Sequence, residues 1–110
     1  MVSLENYKIL LEIEYDGTDF CGWQIQPNAR TIQGNLEGAL KKLFCKEIRL
    51  HGSGRTDSGV HALRQIAHFN PGNTNLNPGQ IEKGLNRFTD VDIFIHRVEK
   101  MPVDFHSRFS

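Results

Sequence analysis

Tyr7-Lys8-Ile9-Leu10-Leu11-Glu12-Ile13-Glu14-Tyr15 places large apolar side chains at positions 7, 9, 11, 13 and 15, alternating with mostly polar ones. Successive side chains of a strand point to opposite faces, so this period of two predicts a strand with one buried face. Asp16-Gly17-Thr18-Asp19 ends it as a turn. Phe20 to Arg30 reads as a loop, broken by Gly22 and Pro27, with Trp23 as its largest apolar side chain.

Outward from that strand the period changes. Ile32, Leu36, Ala39, Leu40 and Leu43 draw one helical stripe, and Thr31 is placed to cap it. Residues 48–51 read as a short strand leading into a glycine-rich loop at 52–59. A strand over 60–70 follows, with Leu63, Gln65, Ala67 and Phe69 on one face and Arg64, Ile66 and His68 on the other. Pro78 suits a first helical turn and opens a helix through Ile81, Leu85 and Phe88. Val91, Ile93, Ile95 and Arg97 then alternate with Asp92, Phe94, His96 and Val98 as the last full strand. Strand, helix, strand, strand, helix, strand is the order of a ferredoxin-like α+β sandwich, an antiparallel sheet with both helices on one face. Residues 1–104 form that unit, and 105–110 begin something new, the start of a link into a further domain.

The 110 residues suit one domain with a modest core. Cys21 and Cys45 have no framework spacing and read as reduced thiols. With no apolar leader and no membrane-length stretch, the sequence predicts a soluble, cytoplasmic protein without a membrane partner. Formal charge is +0, which removes bulk charge as an argument for a nucleic-acid partner. The charge is unevenly spread, however: residues 1–19 hold one base against five acids, and residues 38–70 hold six bases against two acids. The basic stretch either meets phosphate or simply solvates a surface.

Gly52-Ser53-Gly54-Arg55-Thr56-Asp57-Ser58-Gly59 concentrates glycines around one Arg and one Asp. Glycine lets a backbone take positive φ and approach a ligand closely. Arg55 and Asp57 are two residues apart and share a side of an extended segment. A neighbouring guanidinium favours the ionised carboxylate, which is then able to act as nucleophile or base. The same pair also suits a plain loop staple, with Ser53 and Thr56 bonding backbone amides.

Gly54-Arg55-Thr56-Asp57-Ser58-Gly59-Val60-His61-Ala62 resembles the signature of the tRNA pseudouridine synthase A family. Three more segments resemble that family in order: Tyr15 to Gln26, Thr31-Ile32-Gln33-Gly34-Asn35-Leu36-Glu37, and Phe105-His106-Ser107-Arg108-Phe109-Ser110. The resemblance implies isomerisation of uridine to pseudouridine at positions 38 to 40 of the tRNA anticodon stem-loop, without metal or organic cofactor. It places the catalytic carboxylate on Asp57, as the nucleophile. Attack on the ribose, addition to the pyrimidine and abstraction of a ribose proton all remain open as its route. Arg55 would orient Asp57 and fill the space of the flipped base, or hold a neighbouring phosphate. RNA-binding candidates are Arg30 and Gln24 near the same end of the sheet, His61, Arg64 and, from the family segment, Arg108.

The resemblance further implies a homodimer in the full-length enzyme. A second unit would supply a tyrosine against the base and a basic partner for the aspartate, so the chain by itself is expected to fold but stay silent. Ser53 and Ser58 stand where the family often has alanine. Two other readings compete: a non-catalytic ferredoxin-like RNA-binding module, and an interaction domain. The first needs aromatics on alternate central-strand positions, and strand 60–70 offers only Phe69.

Glu14-Tyr15-Asp16-Gly17-Thr18 is not a phosphotransferase motif, since Glu14 stands where a nucleophilic Asp is required. His51, His61, His68, His96 and His106 have no helical ligand spacing, and no metal site is expected. Trp23 and Phe20 either cover a core edge or stack on bases. Lys41, Lys42 and Lys46 lie where a helix C-terminus welcomes positive charge.

Overall fold

β1 (Tyr7–Tyr15) occupies the middle of a four-stranded sheet, as its two-sided register shows. The computed structural model describes residues 7–52, 62–72 and 74–102. Asp57, Arg55, His61 and Arg108 lie outside the described residues, as does segment 105–110. Within them the order is β1, α1 (Ile32–Phe44), β2 (His51–Gly52), β3 (Ala62–Phe69), α2 (Pro78–Phe88) and β4 (Ile93–Pro102). The sheet order is β2-β3-β1-β4 and all three pairings are antiparallel. The chain is therefore an α+β fold.

The alternation in β1 is realised as expected. Ile9, Leu11, Ile13 and Tyr15 are buried in one cluster with Ile32, Leu36, Ala39 and Leu40 of α1 and Ile81 and Leu85 of α2. Ala67, Phe69, Ile93, Ile95 and Val98 complete that cluster from β3 and β4. Each buried aliphatic side chain contributes roughly 1.5–3 kcal/mol over its exposed state, so this cluster is the main stabilising element.

Both helices start on good caps. Thr31 is extended (φ −124°, ψ 157°), and its hydroxyl accepts the Gly34 N–H at 3.1 Å. Two further N–H groups of this first turn are met by the preceding loop, Ile32 donating to the Gly22 carbonyl and Gln33 to that of Trp23. α2 begins with a reciprocal capping box. The Asn77 side chain accepts from the Gln80 N–H at 2.8 Å, and the Gln80 side chain accepts from the Asn77 N–H at 3.0 Å. α1 ends at Cys45, which is left-handed at φ 60° and donates its N–H to the Lys41 carbonyl.

Three expectations need correction. The strand expected over 48–51 is confined to His51–Gly52, because Ile48 and Leu50 turn into the core before the ladder starts. Val91 is fully exposed in a turn and does not belong to β4, which instead runs on to Pro102. Arg97 also does not share a face with Ile95. Ile95 pairs with Ile13 and Arg97 with Glu12, so His96 is an extra residue in β4. That bulge resets the alternation and brings Val98 into the core in place of Arg97. A second irregularity lies between β1 and β3, where Ile13 meets Gln65 but Tyr15 meets Ala62. No helix among the described residues is long and apolar enough to cross a membrane.

Candidate active site

The segment that carries Asp57 leaves the sheet at Gly52 and rejoins it at Ala62. Both anchors are fixed by the ladder: Gly52 pairs with Ala67, and Ala62 pairs with Tyr15 at the C-terminal end of β1. Trp23 backs the first anchor. A Cβ on Gly52 would sit 2.8 Å from the indole atoms Cε2, Cζ2 and Nε1, so only glycine allows this close approach. The indole is 3 % exposed, and its ring centroid lies 6.3 Å from that of Tyr15. Phe20 is equally buried. Both aromatics are therefore core-edge residues, and base stacking by them is set aside.

A second device holds Leu50, two residues before that anchor. Gln33 and Glu37 stand one turn apart on α1, half-buried along the edge of its buried stripe. Glu37 Oε2 accepts the Leu50 N–H at 2.9 Å, and Gln33 Nε2 donates to the Leu50 carbonyl at 3.0 Å. Gln33 Oε1 also accepts the Ile25 N–H at 3.1 Å. Two side chains thus clamp both backbone groups of Leu50 and tie them to the loop that carries Trp23. Leu50 lies in an irregular stretch without a ladder partner, so these bonds replace those a strand would supply. Sequence reasoning missed both residues. The only signal was their place in the 31–37 segment, at a helical spacing of four.

Arg30 ties the neighbouring loops together. Its Nη2 lies 2.6 Å from Asp90 Oδ2 and 3.4 Å from Asp92 Oδ1, while Nη1 donates to the Asp19 carbonyl at 3.0 Å. The guanidinium carbon is 3.8 Å from the centroid of the Phe20 ring. Its pKa is raised, first by the hydrogen bond to Asp90 and further by the charge of Asp92. Asp90 is gripped from the other side by Asn35, whose Nδ2 donates to Oδ2 at 2.9 Å and whose Oδ1 accepts the Asp90 N–H. The Arg30 side chain keeps 40 % exposure and so still presents an edge to solvent.

The remaining described candidates lie apart. Gln24 is exposed in the same loop. Arg64 projects from the face of the sheet that carries Glu12, with Nη1 3.2 Å from Glu12 Oε1. Arg97 Nε reaches the other Glu12 oxygen at 3.8 Å, and its Nη1 lies 2.7 Å from Glu99 Oε1. Further up that face Glu14 holds His96 at 2.6 Å, and the Phe94 and His96 rings meet edge to face at 4.8 Å. Lys41 pairs with Glu47 at 2.9 Å on an exposed surface, so part of the basic stretch is neutralised locally. Among the described residues no three His, Cys, Asp or Glu side chains converge as metal ligands.

Residues 12–110 match the family model described as tRNA pseudouridine synthase. The chain belongs to the tRNA pseudouridine synthase family. It is 47 % identical over 103 residues to tRNA pseudouridine synthase A of Maridesulfovibrio salexigens, covering 94 % of this chain and 38 % of the relative. With the protein of that name from Chlamydia trachomatis serovar A it shares 51 % identity over 105 residues, covering 94 % and 39 %. With that of Dictyoglomus turgidum it shares 48 % over 108 residues, covering 97 % and 43 %. The chain therefore spans about two fifths of the length of the curated relatives it matches.

The family match takes in every part of the clamp described above. Trp23, Gln33, Glu37, Gly52 and the segment from 53 to 61 all fall inside residues 12–110.

Proposed function

We propose that this chain forms the aspartate-bearing portion of an enzyme that converts uridine to pseudouridine at positions 38 to 40 of the tRNA anticodon stem-loop. The observation that carries the reading is the anchoring of segment 53–61: Gly52 is pinned beneath Trp23, Leu50 is clamped by Gln33 and Glu37, and Ala62 is paired to Tyr15. The residues flanking the segment that carries Asp57 are thus held by the sheet, and a fixed frame of this kind is what a catalytic group needs. The strand order β2-β3-β1-β4 and a core shared by both helices support a ferredoxin-like scaffold with the helices on one face.

In this reaction the bond between N1 and the ribose C1′ breaks, the base turns, and C5 bonds to C1′. The proton that C5 gives up balances the one N1 gains, so the isomerisation has no net redox change and proceeds without a cofactor. Asp57 is the catalytic carboxylate in this reading, as nucleophile toward the ribose or the pyrimidine ring, with abstraction of a ribose proton also open as its route. Arg55 orients that carboxylate and occupies the stack vacated by the base, whose unstacking costs roughly a few kcal/mol. Arg30, Gln24, His61, Arg64 and Arg108 are the RNA contacts. In this reading residues 1–104 form one unit and 105–110 open a link to a second. The full-length enzyme acts in the cytoplasm as a homodimer, and the 110-residue chain alone folds without turnover.

Mapping pseudouridine in a tRNA transcript after incubation with the full-length enzyme tests this. Conversion at positions 38 to 40, and none with the 110-residue chain alone, is expected. Conversion only outside the anticodon arm, or near-full turnover by the short chain, would overturn it.

A further inference from the structure

A cavity of about 300 Å³ opens at the opposite end of the sheet from Tyr15 and Ala62, lined by Lys8, Glu47, Ile48, Arg49, His51, His68 and Asn70. Its make-up follows from the register. His51 pairs with His68, and their rings stack with centroids 5.1 Å apart and planes 22° apart. Ile9 pairs with Phe69, so Lys8 and Asn70 sit one residue further along the two strands, next to that stack. Arg49 lies two residues before His51 and is exposed, with no ion pair among the described residues. Glu47, the one acid of the lining among the described residues, already faces Lys41 at 2.9 Å. Among the described residues, two fixed cations and two imidazoles therefore line one hollow, together with one carboxylate that already has a cationic partner outside it.

The cavity at the other end has the reverse character. It is lined by Glu14, Tyr15, Asp16, Val91, Asp92 and Phe94, so three carboxylates repel an anion there. Phosphate belongs at the Lys8 end, where a guanidinium and an ammonium supply charge-assisted donors. Lys8 is seven residues from Tyr15 along β1, about 23 Å at the usual rise of a strand. A ligand seated beside Lys8 is therefore well removed from Ala62, where segment 53–61 rejoins the sheet, although His51 of the same lining adjoins Gly52, where that segment leaves it.

We propose that this pocket binds a phosphodiester of the tRNA backbone, with Arg49 and Lys8 as its cationic donors and the His51–His68 stack as its wall. The proposal rests on the tRNA-modifying reading above and adds to it a contact that positions the RNA without reading its sequence. Backbone contacts of this kind displace counterions, so their loss shows in the salt dependence of binding.

The test compares Arg49→Glu, Arg49→Lys and Lys8→Ala with the wild type in the full-length enzyme, measuring tRNA Kd at several salt concentrations alongside KM and kcat. Arg49→Glu is expected to weaken tRNA binding about tenfold and to flatten the log K against log salt slope by about 1, the loss falling on Kd and KM rather than kcat. Arg49→Lys should restore most of the affinity, and Lys8→Ala should weaken it severalfold. Unchanged Kd and slope in Arg49→Glu, or a loss confined to kcat, would overturn the proposal. Uridine monophosphate forms the second arm: if it binds this pocket as tightly as tRNA does, the site takes a free nucleotide and the backbone assignment fails. The two readings fail separately. No pseudouridine from the wild type sinks the enzymatic reading, whereas intact turnover and tRNA affinity in Arg49→Glu sinks only the pocket.

Discussion

Glu37 on α1 accepts the backbone N–H of Leu50 at 2.9 Å, two residues before the segment that carries Asp57 leaves the sheet. A helix side chain therefore fixes the approach to the candidate catalytic loop at a point where no strand does so. Gln33 completes the hold by donating to the Leu50 carbonyl.

Removing that acceptor should be felt. Glu37→Ala leaves the N–H of buried Leu50 without its partner, at a cost of about 1–3 kcal/mol. In a domain of this size each kcal/mol is worth about 4–8 °C in melting temperature. Thermal unfolding should show Glu37→Ala well below wild type, with Glu37→Gln, which keeps an acceptor, between the two. Equal melting temperatures for all three would contradict the clamp.

Gly52→Ala tests the contact beneath the other side of the same junction. The added methyl would meet the indole at 2.8 Å, so Trp23 must move, at a cost of about 1–3 kcal/mol for an overpacked site. Trp23 is the single tryptophan, so its emission reports on this position alone. A red-shifted spectrum and a lowered melting temperature are expected. A variant with wild-type emission and stability would show that the ring and the backbone are not in contact.

Cys45→Gly should move stability the other way. Cys45 is left-handed at φ 60°, a conformation that costs a residue with a Cβ roughly 1–2 kcal/mol. Glycine removes that strain but gives up about 0.4–1 kcal/mol to the freer unfolded chain. A net gain of about 0.5–1 kcal/mol should appear in denaturant unfolding, and Cys45→Ala, which keeps the Cβ, should show none. A destabilised glycine variant would place the strain elsewhere.

How far these features could be read in advance differs by element. β1 and both helices were legible because their signals are local: period two over Tyr7–Tyr15, a Thr31 cap before a stripe of apolar residues, and Pro78 at a first turn. β4 was misread past Ile95, because the bulge at His96 arises from pairing with Glu12 and Ile13 and leaves no mark in β4 itself. β2 was overextended for a related reason. Ile48 and Leu50 have strand-like composition but spend it on the core, with Leu50 bonded to a helix instead of a ladder. At the candidate site, the glycine-flanked Arg55 and Asp57 stood out by composition. Gln33 and Glu37 did not, since their value depends on Leu50, seventeen and thirteen positions away, meeting them in space.

The central claim is that Asp57 performs the chemistry while the frame around it positions the segment and other residues hold the RNA. Asp57→Asn in the full-length enzyme tests it most directly, because the substitution removes the charge and little else. Pseudouridine formation at saturating tRNA should fall by at least about a thousandfold, with tRNA Kd within about threefold of wild type, the signature of a group that acts only in the transition state. Turnover within tenfold of wild type, or a rate lost only in step with tRNA affinity, would contradict the account.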